Sequence, residues 1–355
     1  MQTKRTSHGH HRASSLQTLM ARFDFNRLLL QTPAETLRRL AEFNPFTLHK
    51  KGTRTKAIFA LAAVCILWGT TWVASKEGVR HIPALQLAGL RQLSAGILYV
   101  TYFLIIGAPF PKGKEWRPLL LLALLNFILS NGLSTWGVKY ISAGLAAIMG
   151  AIFPIWLVVI GLFTSKERLP RKAITGLLIG FTGVCIIFYD HLHDFLDPSF
   201  RFGILLSLLA TWSWAFATLY TKQQAAHFNP YFSMGIQMLL SGTVLTAGTH
   251  FTGFAIPIVS IPWQSWAVIG YMVLMGSVFS FLCYLYALQH LPTEQVSIYA
   301  YVNPVVALLL GVWLFDEKIS FFILIGGTVA LLGVWLVNQA FRNTTSVEQP
   351  ETEGM

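Results

Sequence analysis

Across 355 residues the chain is 54% hydrophobic and 12% charged, with a mean hydropathy of +0.57, about half the charged fraction of an ordinary soluble domain. Its net charge of +11 does not point to nucleic acid, because 11 of the 26 Lys and Arg precede residue 57 and the others lie mostly between apolar runs. Cys65, Cys185 and Cys283 stand singly in apolar runs without a CxxC or Cys/His grouping, so no zinc site, disulfide framework or cofactor is expected.

Residues 1–56 read as a basic, poorly ordered cytosolic extension. They hold one amphipathic piece, "RLLLQTPAETLRRLAEF", and no uncharged run long enough for a signal-peptide core. A helix needs about 20 apolar residues to cross the hydrocarbon layer of a bilayer. Ten windows meet that need, at 57–75, 84–106, 118–138, 142–164, 173–189, 202–221, 231–252, 265–288, 294–315 and 319–340. Residues 341–355 form a tail. With the N-terminus inside, the inner loops and tail hold nine Lys and Arg, from Lys112 to Arg342, and the outer loops hold five. This bias predicts that both termini are cytosolic. Connections this short leave no room for a soluble catalytic domain, and no HExxH, GxSxG or paired acidic motif is present, so an enzyme is not expected.

The chain repeats itself. "YISAGLAAIMGAIFPIW" from Tyr140 parallels "HLPTEQVSIYAYVNPVV" from His290, and a shift of 150 carries Pro154 to Pro304, Glu167 to Glu317, Gly176 to Gly326 and Gly183 to Gly333. A shift of 146 carries Trp68 to Trp214 and Lys76 to Lys222. Each unit therefore holds five helices, one over 57–190 and one over 191–340. Five is odd, so the second enters the membrane from the opposite side. The expected fold is all-α and membrane-integral, ten transmembrane helices in two inverted repeats, the architecture of alternating-access carriers with a midplane site.

"LWGTTWVASK" in the first window, "PALQLAGLRQLSAGIL" in the second, and the doubled Pro–Gly–Glu–Gly run resemble the drug/metabolite transporter superfamily, specifically its EamA-type ten-helix carriers, over about residues 57–340. The resemblance implies two inverted five-helix halves in a bacterial inner membrane. It also implies export or permeation of a small-molecule substrate, an amino acid or similar metabolite. A lipid or polyprenyl-carrier translocase is the alternative within the superfamily, and a receptor or channel the alternative outside it. The sequence departs from the family at "FDEK", where an apolar-Gly-Glu is commoner, and in its long head.

Arg91 is the one firmly charged side chain at the depth of a window, where a charge costs at least about 2.5–3.5 kcal/mol. It reads either as a counter-charge for a carboxylate or as a structural Arg bonded to helix carbonyls. Asn131 and Trp136 in the third window, and Tyr299 and Asn303, four apart on one helical face of the ninth, line a cavity or bond between helices. Trp72, Trp214 and Tyr284 fall in helices that line the central cavity of the resembling family, or anchor at the interface. No Asp or Glu lies at mid-depth, so facilitated diffusion is expected. Glu294 reads as a helix cap, with proton exchange by Glu294 or His290 as the alternative. Pro154 and Pro304 are hinge positions, and Gly176 and Gly180 pack helices or a homodimer face. The partners expected are the solute and the lipid bilayer.

Overall fold

The computed structural model describes residues 54–153, 155–156, 159–160, 171–224, 229–291, 296 and 299–345. The basic head, Pro154, Glu167, Glu294 and residues 346–355 lie outside them. Ten main helices run through the described residues: α1 (Arg54–Gly78), α2 (Ala84–Ile105), α3 (Trp116–Leu122, Ala123–Gly132 and Leu133–Gly137 in one continuous run), α4 (Ala143–Ala151), α5 (Arg171–Asp190), α6 (Pro198–Gln224), α7 (Pro230–Phe251), α8 (Trp263–Tyr271, Met272–Phe279 and Ser280–His290 in one run), α9 (Tyr299–Phe315) and α10 (Phe321–Thr345). There is no strand among these residues. Apolar segments of this length must satisfy their own backbone in lipid, and the helix does so without partners. Five of the described helices are long and apolar enough to cross a membrane on their own account.

The helix ends are built locally. Ser142 Oγ accepts from Leu145 N at 3.1 Å, and Asn229 Oδ1 accepts from Tyr231 N at 3.0 Å and Phe232 N at 3.2 Å, with Pro230 at the first helical position. After α9 the chain turns through Asp316 with φ 54°, a left-handed conformation normally left to Gly or Asn. That accounts for the unusual "FDEK": the Asp occupies the place where the resembling family more often has Gly.

The third helix of each half is not uniformly α-helical. Ala123–Gly132 in α3 and Met272–Phe279 in α8 are π-helical, and such stretches cluster at functional positions. Their carbonyls accept from side chains of other helices: Leu125 O from Ser213 Oγ at 2.8 Å, Gly276 O from Trp68 Nε1 at 3.3 Å, and Val278 O from Tyr99 Oη at 2.9 Å.

Helix crossings show the inversion directly. A methyl added at Gly96 in α2 would meet the Leu239 backbone, and one added at Gly242 in α7 would meet the Leu93 backbone. The shift of 146 exchanges these two contacts, since 96 becomes 242 and 93 becomes 239. Rising numbers on α2 meet falling numbers on α7, so equivalent helices of the two repeats cross antiparallel. In the same way Gly183 sits on Ala330 N and Gly326 O, while Gly333 sits on Gly180 N and Gly176 O, a pair exchanged by the shift of 150. The Gly176 and Gly180 stripe is thus occupied by α10 of the same chain.

Side chains on the outer circumference are apolar. Phe59, Leu98, Leu178, Phe181, Val244, Leu274, Leu309 and Leu324 are exposed, which suits a hydrocarbon surround. The fold is all-α, with ten helices in two inverted five-helix repeats.

Candidate functional site

Between the repeats lies a cavity of about 150 Å³. From α1 it receives Trp68, Thr71, Trp72 and Ser75, whose spacing of three and four residues keeps them on one helical face. From α3 come Ser130, Asn131, Ser134 and Thr135, from α6 Thr211 and Trp214, and from α9 Tyr299 and Asn303. Gly150 of α4 leaves room for the Trp72 ring, which an added methyl would approach to 2.8 Å.

Arg91 enters this wall from α2 and is 5% exposed. Its Nε donates to Ser277 Oγ at 3.0 Å and its Nη1 to Asn131 Oδ1 at 3.2 Å. Ser277 belongs to the π-helical stretch of α8 and Asn131 to that of α3, so one guanidinium ties the third helices of both repeats together. Among the described residues no carboxylate pairs with it. Its partners are an amide and a hydroxyl rather than helix carbonyls, and Nη2 makes no hydrogen bond among the described residues. The widened helical turns explain why the sequence alone does not disclose these partners.

Four hydroxyls of the wall are committed as donors. Thr71 Oγ1 donates to Trp68 O at 2.7 Å, Ser134 Oγ and Thr135 Oγ1 both donate to Asn131 O, and Thr211 Oγ1 lies within reach of Met149 O and Ser207 O. Asn303, with its amide nitrogen turned to the carbonyls, donates to Cys65 O at 2.8 Å and Tyr299 O at 3.0 Å. It therefore ties α9 to α1 beside Pro304, which has no N–H of its own to offer the helix.

The rings form a continuous aromatic lining. Trp68 lies 5.1 Å from Phe281 and 5.0 Å from Tyr299, centroid to centroid, and Trp214 joins them in the lining. Of the sequence-derived candidates, Arg91, Trp72, Asn131, Trp214, Tyr299 and Asn303 meet at the cavity. Two do not line it. Tyr284 packs behind the wall, 5.0 Å from Trp68 and 5.8 Å from Tyr299, and Trp136 turns to Phe202 at 5.2 Å. His290 ends α8 with Nδ1 donating to Tyr286 O at 2.8 Å, also away from the wall, and Glu294 lies outside the described residues. Trp68, Thr71, Ser75, Thr135 and Thr211 are wall residues that the sequence reading did not select.

The end of the bundle where α1 finishes is held by two charges. Lys76 Nζ donates to Val138 O at 3.0 Å and Ile141 O at 2.7 Å, covering the junction of α3 and α4. Glu317 accepts from Ala143 N at 2.9 Å and Gly144 N at 3.5 Å, at the start of α4. A carboxylate at a helix N-terminus and a cation on helix-end carbonyls are each favoured by the helix dipole. Their repeat-related counterparts, Glu167 and the side chain of Lys222, lie outside the description.

The family model for EamA-like transporters matches this chain twice, over residues 55–189 and 201–339. An uncharacterised inner membrane transporter of Escherichia coli K12, YedA, is 32% identical over 269 residues, covering 74% of this chain and 83% of its own length. An uncharacterised transporter of Bacillus subtilis, YoaV, is 26% identical over 283 residues, 79% of this chain and 96% of its own. A protein of known crystal structure aligns with TM-score 0.58 and 16% identity over 80% of this chain and 98% of its own length, a likeness of fold alone.

Proposed function

The chain belongs to the EamA-like transporter family, and from that premise we propose that it carries a small carboxylate-bearing metabolite, in the size range of amino acids, by alternating access around the central cavity. The observation that carries this reading is Arg91: a buried cation without an acidic partner among the described residues, set in the cavity wall and bonded to both repeats at once. A solute carboxylate arriving at Nη2, unpaired among the described residues, draws the guanidinium toward itself and so bears on the bonds to Asn131 and Ser277. It thereby alters the link between the halves, and differential contact of this kind is what allows a ligand to shift a two-state equilibrium. The inverted halves supply the two states, one open to each side.

The described wall holds no acid and no His, so the solute moves down its own gradient without a proton relay in the cavity. We place the protein in a bacterial inner membrane with both termini cytosolic, in keeping with the Lys and Arg bias of its loops, and assign export as its direction. The test is uptake by liposomes carrying the purified full chain, with a panel of radiolabelled carboxylates and amino acids. Saturable counterflow of at least one solute above protein-free liposomes is expected. A flat panel refutes the carrier reading.

A further inference from the structure

We propose that the cavity selects organic anions with a planar, apolar body and no ammonium group, simple aromatic carboxylates in preference to zwitterionic amino acids. The proposal rests on the carrier reading above and narrows its substrate class.

In an α-amino acid the ammonium sits one carbon from the carboxylate, so a carboxylate on Arg91 brings a second cation beside the guanidinium. That ammonium needs acceptors to replace its water. What the described wall offers it is uncharged: the hydroxyl oxygens of Thr71, Ser134 and Thr135, each already donating to a carbonyl, and no carboxylate to offset a second cation beside the guanidinium. No Asp or Glu lines the cavity among the described residues. Donors, in contrast, are in surplus. Arg91 Nη2 lies beside Gly276, 3.3 Å from where a Cβ on that glycine would stand, and neither it nor Asn131 Nδ2 makes a hydrogen bond among the described residues. Two such donors fit a carboxylate. The like charge of Arg91, with no carboxylate in the described wall to offset it, disfavours an ammonium next to it. Past this polar end the wall is Trp68, Trp72, Trp214, Phe281 and Tyr299, flat apolar surface that a planar body covers well.

The experiment uses the full chain in liposomes and four matched probes: 3-phenylpropionate, phenylalanine, phenethylamine and 3-phenylpropanol. Saturable counterflow is expected for 3-phenylpropionate, at least tenfold lower apparent affinity for phenylalanine, and none for phenethylamine. Arg91→Gln should weaken 3-phenylpropionate at least tenfold, with partial recovery in Arg91→Lys. Asn131→Asp is the second variant, for the case in which the Arg91 variants do not accumulate. It sets a carboxylate against the guanidinium and should lower the 3-phenylpropionate to phenylalanine preference by tenfold or more. Phenylalanine or phenethylamine moved as well as 3-phenylpropionate by the unaltered chain would overturn the proposal while leaving the carrier reading intact. So would a preference unchanged in Asn131→Asp, or no saturable movement of any of the four. The carrier reading itself falls only when the wider panel is also flat.

Discussion

Replacing Gly242 by Ala drives a methyl into the Leu93 backbone where α7 crosses α2. Backbone atoms cannot rotate out of the way as a side-chain tip can, so the helices must part. Overpacking of this kind costs about 1–3 kcal/mol, against a gain of at most about 1 kcal/mol from alanine's better helix propensity. The expected net loss is about 0–2 kcal/mol, and about 1–3 kcal/mol relative to an alanine that gains the same propensity without the clash. Gly96→Ala meets the equivalent Leu239 backbone and should lose a similar amount, because the two sites exchange under the repeat. Gly248 is on the same helix as Gly242, yet a methyl there has nothing within 4 Å, so Gly248→Ala should be neutral or gain up to about 1 kcal/mol. Thermal unfolding of the full chain in detergent, with Cys185 and Cys283 replaced and followed by reaction of the buried Cys65 with a fluorogenic maleimide, ranks the three variants. Gly242→Ala or Gly96→Ala as stable as Gly248→Ala would refute the antiparallel crossing and the symmetry drawn from it.

Asp316→Gly relieves a left-handed Asp and should raise stability by up to about 1 kcal/mol in the same assay. Glu317→Ala removes the acceptor from Ala143 N and Gly144 N and should cost about 1–2 kcal/mol, with Glu317→Gln recovering part because it keeps an acceptor oxygen. Cysteines placed at Arg171, where α5 starts, and at Asp194, four residues past its end, both exposed, should label from opposite sides of the membrane; labelling from one side would break the assigned topology.

The helices were legible because a lipid-spanning segment has to be apolar along its length: the window at 84–106 became Ala84–Ile105, and that at 231–252 became Pro230–Phe251. The repeat was legible because Gly and Pro mark close approach and backbone geometry, and both kinds of marker recur at a constant shift. Which face of each helix looks inward was much less so. Trp212 and Trp214 are two residues apart and alike in chemistry, yet about 200° of helical rotation separates them, and Trp212 is 43% exposed while Trp214 lines the cavity. A charge in an apolar run singles itself out, as Arg91 did. A Thr or Trp does not, since either can equally bond its own helix or face lipid. The π-helical stretches left no signal, because "ALLNFILSNG" and "MVLMGSVF" have the apolar content of any spanning helix, and with them went the partners of Arg91.

Alternating exposure of the cavity is the central claim, and Ser134 is placed to report it, being a half-buried wall residue on α3. In a chain with Cys65, Cys185 and Cys283 replaced, Ser134→Cys is to be labelled with a membrane-impermeant thiol reagent in right-side-out and in inside-out vesicles. The account predicts labelling from both sides, slowed in both by saturating transported solute. Labelling from one side only, at a rate no solute alters, would contradict it.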